Sequence, residues 1–436
     1  MVEEIHAEFV NGAGEQFQIE DNSLIIPTNI DRFGLSKMIN DLLIFDEPVA
    51  FDILFKEEPL RCTISEKLEQ YNIKSETTIK LVYILAITEP LETEIDSLNE
   101  WISDISYNNK ILSTCCYDGH ISIYKVDDMV KSINFFNQSK SASSIHMYNR
   151  NFGSHFELIC ASITGLIEVY KVDISEEHPE YSLVAASGKE YDTITSLTTD
   201  KNGYVLLAGG YNNTISVYEN PKLLTNTGDN QSIHKTGKRV LNEVYTLPLL
   251  HNLESHRQPI TGLDFLPLQE NIFVSSSQDG TLLIWDLNGK SCLSQYNTGK
   301  PISCFSISPH GPQISTGHNE GGITILDIRC KDTVDFYTEA SNFVDPKVSS
   351  VCSSNIHNKL VGSISWNPVK RNIIASFGLD GCAFLIDIRS PKFPLQMTQF
   401  ELDSEHDRGT RCSWINADNL VCTTASVNNL TLFDLQ

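Results

Sequence analysis

The sequence predicts a mainly β protein, with a small α+β domain of the β-grasp type over residues 1–90 and a seven-bladed β-propeller over residues 91–436. Three observations predict it. The first ninety residues read strand, strand, helix, strand, short helix, strand. From residue 94 the chain is self-similar at a period of tens of residues, the signature of a repeat architecture. Finally, the aligned ends of the repeats, at 124, 170, 218, 285, 326, 386 and 433, lie 46, 48, 67, 41, 60 and 47 residues apart. A propeller blade takes ~40–45 residues.

In the first domain, "EIHAEFV" alternates apolar and polar residues, "NGAG" breaks the run, and "EQFQIE" alternates again. That pattern is expected to form a hairpin of two strands around a glycine-rich turn. "NIDRFGLSKMINDLLI" places Phe33, Leu35, Met38, Ile39, Leu42 and Leu43 at helical spacing, with Asp31 at the N-cap position. "VAFDILF" reads as a third strand, "PLRCTISEKLEQY" as a short edge and a short helix, and "TTIKLVYIL" as the last strand. This order is that of the ubiquitin-like β-grasp. Through Pro90 there are 17 acidic and 7 basic residues, a net charge of -10, which suits a cationic or metal-bearing partner. Without a C-terminal diglycine, and running straight on into the next domain, it is not expected to act as a conjugated modifier.

The clearest repeat is "LESHRQPITGLDFLPLQENIFVSSSQDGTLLIWDLNGKSCLSQY", Leu253 to Tyr296. It resembles a WD-repeat unit: a His, an apolar strand, a small-residue strand, a tight "QDG" turn and a strand ending in Trp285-Asp286. The weaker copies carry the turns "YDG", "ITG", "YNN", "NEGG", "LDG" and "VNN". Each offers the Gly, Asn or Asp that a positive φ favours. The two long intervals locate insertions near 221–250 and 331–350. The last unit stops at "LTLFDLQ", straight after its third strand, so its outer strand must come from elsewhere or leave an open edge. The segment near Ile87 to Ile95 is expected to supply it, joining the two domains through a ring-closing strand.

Composition excludes several classes. With 56 acidic and 32 basic residues the net charge is -24, so nucleic acid or an anionic membrane is not attracted over the whole surface. No apolar run approaches the ~18 residues of a membrane span, and "MVEEIHAEFV" lacks the basic and apolar regions of a signal peptide. The 11 cysteines include no Cys-x-x-Cys and mostly sit in apolar runs, so they read as reduced core residues of an intracellular protein. No nucleophile motif, phosphate loop or metal cluster supports an enzyme, and no cofactor is expected.

In the best repeat, His256, one of Ser275 to Ser277 (Ser276 is the chosen residue), Asp279 and Trp285 match the hydrogen-bonded set of WD repeats. The repeat pattern explains each position, so the set is expected to be structural. The other units lack the Trp and are expected to rely on apolar packing. "LDIR" and "IDIR", at 326–329 and 386–389, resemble the Asp-x-Arg motif of substrate receptors for cullin ubiquitin ligases. The plainer reading pairs Arg329 and Arg389 with a neighbouring carboxylate. The first insertion holds Lys222, Lys235, Lys238 and Arg239, one of the few locally basic places. It reads as a solvated loop, or alternatively, through Lys235, Lys238 and Arg239, as an RNA phosphate contact.

The segments "DRFGLSKMINDLL", "PVAFDILF" and "PLRCTISEKLEQYNIKSETTIKLVYILA", followed by a short link into a seven-bladed propeller, resemble one family. It is the ribosome-biogenesis WD-repeat family of the pescadillo and block-of-proliferation complex, with a Notchless-type N-terminal domain. The match is strongest over about 30–90 and beyond that rests on architecture and the fourth repeat. The resemblance implies a non-enzymatic assembly factor of the large (60S) subunit, acting in nucleolus and nucleoplasm. Its propeller would bind the block-of-proliferation propeller in a trimer with pescadillo, on the pre-60S particle, for pre-rRNA processing. The ubiquitin-like domain would be the handle by which the AAA ATPase midasin removes the complex. Glu76, flanked by Ser75 and Thr77, then matches the acidic residue that completes the Mg²⁺ site carried by midasin. From pattern alone Glu76 is a solvated carboxylate, with Glu57, Glu58 and Glu69 close by in sequence. A Notchless-like late 60S factor, which carries an eighth blade, and a cullin-ligase receptor are the alternatives.

Overall fold

The computed structural model describes the chain apart from residues 1–3, 13–16, 20–21, 44–47, 57, 74–77, 87–89, 99, 128, 149–154, 175–178, 189–191, 221–243, 255, 268, 270, 330–349, 390–393, 400–408, 425–428 and 436. The chain forms two compact units, one over Met1–Leu91 and one over Glu92–Ile386 with Pro394–Asp434.

In the first unit, alternation in β1 (Glu4–Asn11) buries Ile5, Ala7 and Phe9 on one face. β2 (Ser23–Pro27) pairs with it antiparallel, and β5 (Ile79–Leu85) pairs with it parallel. β3 (Phe51–Phe55) and the short β4 (Glu58–Pro59) complete the sheet, in the order β2-β1-β5-β3-β4. The helices are α1 (Arg32–Leu43) and α2 (Ile64–Gln70). Asp31 caps α1 through a bond from the Gly34 N–H at 2.9 Å, and Thr63 caps α2.

Two expectations are corrected. The second strand is not "EQFQIE" but "SLIIP", Ser23–Pro27. Phe17 and Ile19 are indeed buried, but as plugs from the connecting segment. Phe17 meets the Phe51 ring edge-on at 5.6 Å, and its carbonyl accepts the Tyr83 hydroxyl at 2.7 Å. Their alternation therefore reports burial without strand pairing. The apolar face of α1 is also narrower than expected: Leu35 and Ile39 are fully buried, whereas Phe33 is 71% exposed and stacks under the Arg32 guanidinium at 4.9 Å. Leu35→Ala is expected to cost about 2–4 kcal/mol and Phe33→Ala less than about 0.5 kcal/mol, read from urea midpoints.

The second unit holds seven sheets of four strands, with one of them carrying an added short strand. Blades 1 to 7 start with the inner strands Ile102–Asn108, Ser144–Tyr148, Ile194–Thr199, Ile260–Phe265, Ile302–Ile307, Val361–Trp366 and Gly409–Trp414. Each inner strand packs on the next, and the seventh on the first, so the ring is closed. Six of the repeat turns place Gly119, Gly165, Asn213, Gly280, Gly321 and Gly381 at φ between 61 and 86°, as the sequence pattern requires. At Gly119 a Cβ would also lie 2.6 Å from the Ser141 nitrogen.

The stretch near 221–250 is not all insertion. Leu249–Glu254 is the outer strand of blade 3, and Tyr245–Thr246 adds a fifth strand to blade 2, parallel to Glu180–Ala186. Both long insertions therefore fall between a third and a fourth strand. In blade 5 that gap runs from Asp327 to Ser350.

β6 (Leu91–Ser97) is the outer strand of blade 7, beside Asn429–Asp434. The closing strand thus overlaps the expected segment and starts a few residues later. Its Asp96 reaches blade 1, accepting from the Tyr124 hydroxyl at 2.9 Å and pairing with Lys131 at 3.0 Å. Burial pushes the Asp96 carboxyl up, but hydrogen bonds from Lys131 and Tyr124 outweigh it and leave it below its ordinary range. A carboxyl depressed by folding stabilises above its unfolded pKa, and that contribution is lost as pH falls through the folded value. Asp96→Asn is expected to cost about 1 kcal/mol at neutral pH, and less as pH drops below ~4. Urea denaturation at neutral and acid pH checks this.

Candidate partner-binding sites

The turn singled out by the sequence, Ser75, Glu76 and Thr77, lies outside the described residues, as do Glu57, Lys222, Lys235, Lys238 and Arg239. The described neighbours show how the turn is anchored. α2 ends in a left-handed Asn72, φ 51°. The Asn72 N–H donates to the Glu69 carbonyl at 3.1 Å and the Ile73 N–H to the Leu68 carbonyl at 2.9 Å. These are the two bonds of a Schellman cap. Ile73 packs on the core, and Ile79, where β5 begins, is buried. Chain position is therefore fixed on both sides of the turn. Of the neighbouring carboxylates, Glu58 is engaged: it accepts from Lys67 Nζ at 2.9 Å, and bonds from Lys67 and Tyr71 hold its carboxyl below the ordinary range. Glu69 is exposed on α2.

In blade 4 the structure brings His256, Asp279 and Trp285 together, but around Ser275 rather than Ser276. Trp285 Nε1 donates to Ser275 Oγ at 2.9 Å, His256 Nε2 lies 2.7 Å from the same oxygen, and His256 Nδ1 is 3.3 Å from Asp279. Side chains alternate along Ile272–Ser277, so Ser276 points to the opposite face and meets Thr261 Oγ1 at 2.9 Å. Burial pushes the Asp279 carboxyl up, but bonds from His256 and Thr281 outweigh it and hold it well below the usual range. Ser275 is fully buried with its hydroxyl held by two partners, so no substrate reaches it.

Blade 6 repeats the arrangement without the Trp. His357 Nδ1 lies 3.0 Å from Asp380, and Nε2 lies 2.9 Å from Ser376 Oγ. The expectation that this blade relies more on apolar packing than on such a network is therefore corrected. The signal was in the sequence: His to Ser is 19 residues and His to Asp 23 in both blades.

The comparisons with known proteins agree with this architecture. The NLE (NUC135) domain family matches residues 5–68, and the WD domain, G-beta repeat, matches residues 247–286, which hold the blade 4 set. "Ribosome biogenesis protein WDR12 homolog" of Arabidopsis thaliana is 23% identical, over 97% of this chain and 95% of its own. "Ribosome biogenesis protein YTM1" of Vanderwaltozyma polyspora is 24% identical, over 88% and 86%. The Pyrenophora tritici-repentis protein of that name is 25% identical, over 86% and 82%. Over most of its length the chain is similar to ribosome biogenesis proteins.

Within this WD-repeat protein, the Asp-x-Arg motifs follow the plainer reading. Arg329 donates through Nε and a terminal nitrogen to Asp327, at 3.0 and 2.6 Å, and Arg389 does the same to Asp387, at 2.9 and 2.6 Å. Both forks are turned back on their own strands. The described propeller has seven blades, not the eight of the Notchless alternative.

Two polar devices were not anticipated. Asp96 with Tyr124 and Lys131 is described above. The second lines the central channel, a cavity of about 280 Å³ walled by all seven inner strands. There Arg411 pairs with Asp104 at 3.2 Å and donates to the Ser103 carbonyl at 3.3 Å. Arg411 and Ser103 are 308 positions apart, and only the closed ring brings them together.

Ser275→Ala leaves the buried Trp285 Nε1–H and His256 Nε2 without their shared partner and is expected to cost about 2–3 kcal/mol, whereas Ser276→Ala is expected to cost about 1 kcal/mol. Chemical denaturation of the two variants ranks them.

Proposed function

We propose that this chain is a non-enzymatic assembly factor for the large (60S) ribosomal subunit. Its propeller joins the block-of-proliferation protein and pescadillo in a trimer on the pre-60S particle, for pre-rRNA processing in the nucleolus and nucleoplasm. Its N-terminal β-grasp domain is the handle by which midasin removes that complex. The observation that carries this reading is the combination, in one chain, of an NLE-type domain and a seven-bladed propeller. That combination is similar to ribosome biogenesis proteins over almost the whole length.

In this reading Glu76 donates a carboxylate oxygen to Mg²⁺ held by midasin, with Ser75 and Thr77 beside it in the contact. Mg²⁺ is a hard cation that takes six oxygens near ~2.1 Å and accepts carboxylates readily. Support comes from the anchored flanks, Ile73 and Ile79. It also comes from the engagement of Glu58 with Lys67, which removes one rival carboxylate. Lys235, Lys238 and Arg239 form a local basic stretch suited to rRNA phosphates. A cullin-receptor role has less support, because the Arg329 and Arg389 forks are already bound.

Affinity purification of the intact chain tests the assembly: pescadillo and its companion are expected to dominate, and their absence overturns it. Glu76→Ala is expected to leave folding and trimer formation intact and to abolish Mg²⁺-dependent capture by midasin. Glu69→Ala is expected to leave capture unchanged. Capture by the Glu76 variant at the wild-type level overturns the site assignment while leaving the trimer standing.

A further inference from the structure

Strand phase lays two rings of side chains on the wall of the central channel. Side chains alternate along a strand, so residues level with Asp104 and residues two places further on both face the lumen. The first ring carries Asp104 and Arg411, and the second carries Ser106, His146, Thr198 and Asp264. Asp104 is fully engaged. One of its oxygens pairs with Arg411 at 3.2 Å, and the other accepts from Ser144 Oγ at 2.8 Å and from the Ile145 N–H at 3.1 Å. His146 Nε2 lies 3.1 Å from Thr199 Oγ1, and burial pushes the imidazole down to about 4, so it is neutral at physiological pH. Burial likewise keeps the Cys304 thiol neutral, pushed up to about 11.

Asp264 differs from the rest. Its Oδ1 accepts the Phe265 N–H at 2.8 Å and the Thr198 hydroxyl is within bonding reach, but no cation among the described residues pairs with it. Asp104 and Arg411 cancel, which leaves Asp264 as the one uncompensated charge among the described channel residues. The side chain is accessible from the lumen, yet protein walls it closely enough that burial pushes its carboxyl up to about 6. An aromatic ring accompanies it. Phe305, on the next inner strand, lines the same cavity, and it comes close because Gly262 has no side chain: a Cβ there would lie 2.5 Å from the ring. Gly262 stands two residues before Asp264, with Leu263 between them in the same wall. The cavity, about 280 Å³, is several times the ~30 Å³ that one water takes in the liquid.

We propose that the channel binds an organic cation, with a primary ammonium group at Asp264 and an apolar stem along Leu263 and Phe305. Charge selects the sign of the ligand, since an ammonium beside Asp264 offsets the cost that burial imposes on the carboxylate. The aromatic ring favours the same class, because its face attracts a cation. The ammonium has three donors, and beyond the carboxylate the hydroxyls of Thr198 and Ser106 stand in the same ring. A divalent metal is less well matched. Mg²⁺ and Ca²⁺ gather several oxygen ligands, and no group of three His, Cys, Asp or Glu among the described residues could hold a metal ion. The ammonium can belong to a small free amine or to a lysine side chain of a partner. The chemistry at Asp264 is the same, and the two sources are separated by experiment. The inference concerns the channel alone and does not depend on which complex the chain joins.

The test uses the full chain and saturation-transfer difference NMR with n-pentylamine, against n-pentanol as a neutral probe of the same size. A second arm uses a blocked Gly-Gly-Lys-Gly-Gly peptide. Saturable binding of pentylamine, and none of pentanol, is expected. Pentylamine without the peptide assigns the channel to a small amine, and the peptide binding as tightly as pentylamine or tighter assigns it to a partner's lysine. Both results support the proposal. Asp264→Asn can keep the bond from the Phe265 N–H and removes the charge that burial disfavours, so it is expected to fold and to weaken pentylamine about tenfold or more. Phe305→Leu, which keeps the wall apolar, is expected to weaken it about threefold. Asp127→Asn, at the exposed pair with Lys110, is expected to change nothing. The proposal is overturned if pentanol binds as well as pentylamine, if neither amine probe saturates, or if Asp264→Asn leaves the affinity unchanged. Displacement of pentylamine by an equal concentration of potassium chloride overturns it too, since that marks a site for inorganic ions.

Discussion

Ring closure is the constraint on which the propeller depends. Six blades take their four main strands from one stretch of chain each, but the seventh has only three at the C-terminal end of the sequence, and its fourth is β6. An open outer edge would leave a row of unpaired backbone groups. Filling it with β6 pairs the start of the repeat region with its end. The loop closed in this way spans more than three hundred residues, yet closure entropy grows only with the logarithm of length. The continuous pairing, together with Asp96 on Tyr124 and Lys131, offsets that cost. It also brings Arg411 to Asp104, a pair that exists only in the closed ring.

The blades share a backbone but use different polar devices. Blade 4 has His256, Ser275, Asp279 and Trp285, and blade 6 has His357, Ser376 and Asp380. In blade 2 the buried Glu168 accepts from Tyr170 Oη at 2.7 Å and from the Ser139 N–H at 3.0 Å. In blade 1 the tyrosine at the same strand position, Tyr124, reaches Asp96 instead. Each device satisfies a buried polar group and ties two or more parts of the chain together. Divergent repeats can therefore hold one geometry, because what is needed is satisfied hydrogen bonding and not a particular residue set.

The fold was legible wherever local chemistry dictates backbone. Third positions of the turns had to be Gly or Asn, and they adopt positive φ. Asp31 had to cap α1, and it does. Reading failed where burial and pairing come apart. Phe17 and Ile19 alternate like a strand because both point inward, but the pairing partner of β1 lies further on, at Ser23–Pro27. Phe33 fits the helical period, yet the sheet covers only the stripe of Leu35 and Ile39. Among three consecutive serines, composition could not say which faces His256, since that depends on strand phase. The His357 set was readable from its spacing alone. The bond from Arg411 to the Ser103 carbonyl, beside Asp104, was not, because nothing local connects positions 308 apart.

The physics of each unit suits a different task. In the β-grasp unit a five-stranded sheet and a Schellman cap hold Ile73 and Ile79 in place. In the propeller a closed ring supplies many short turns at one end, and a turn can change its side chain without disturbing the strands beneath it. Tyr117, Ile163 and Tyr211 occupy the same turn position as Gln278, Asn319 and Leu379. At Tyr117, Tyr211, Gln278 and Leu379 the backbone bond is kept while the side chain differs. Side chains of this kind are hard to read from the repeat pattern, because the pattern specifies only the residues that hold the turn and leaves the others free.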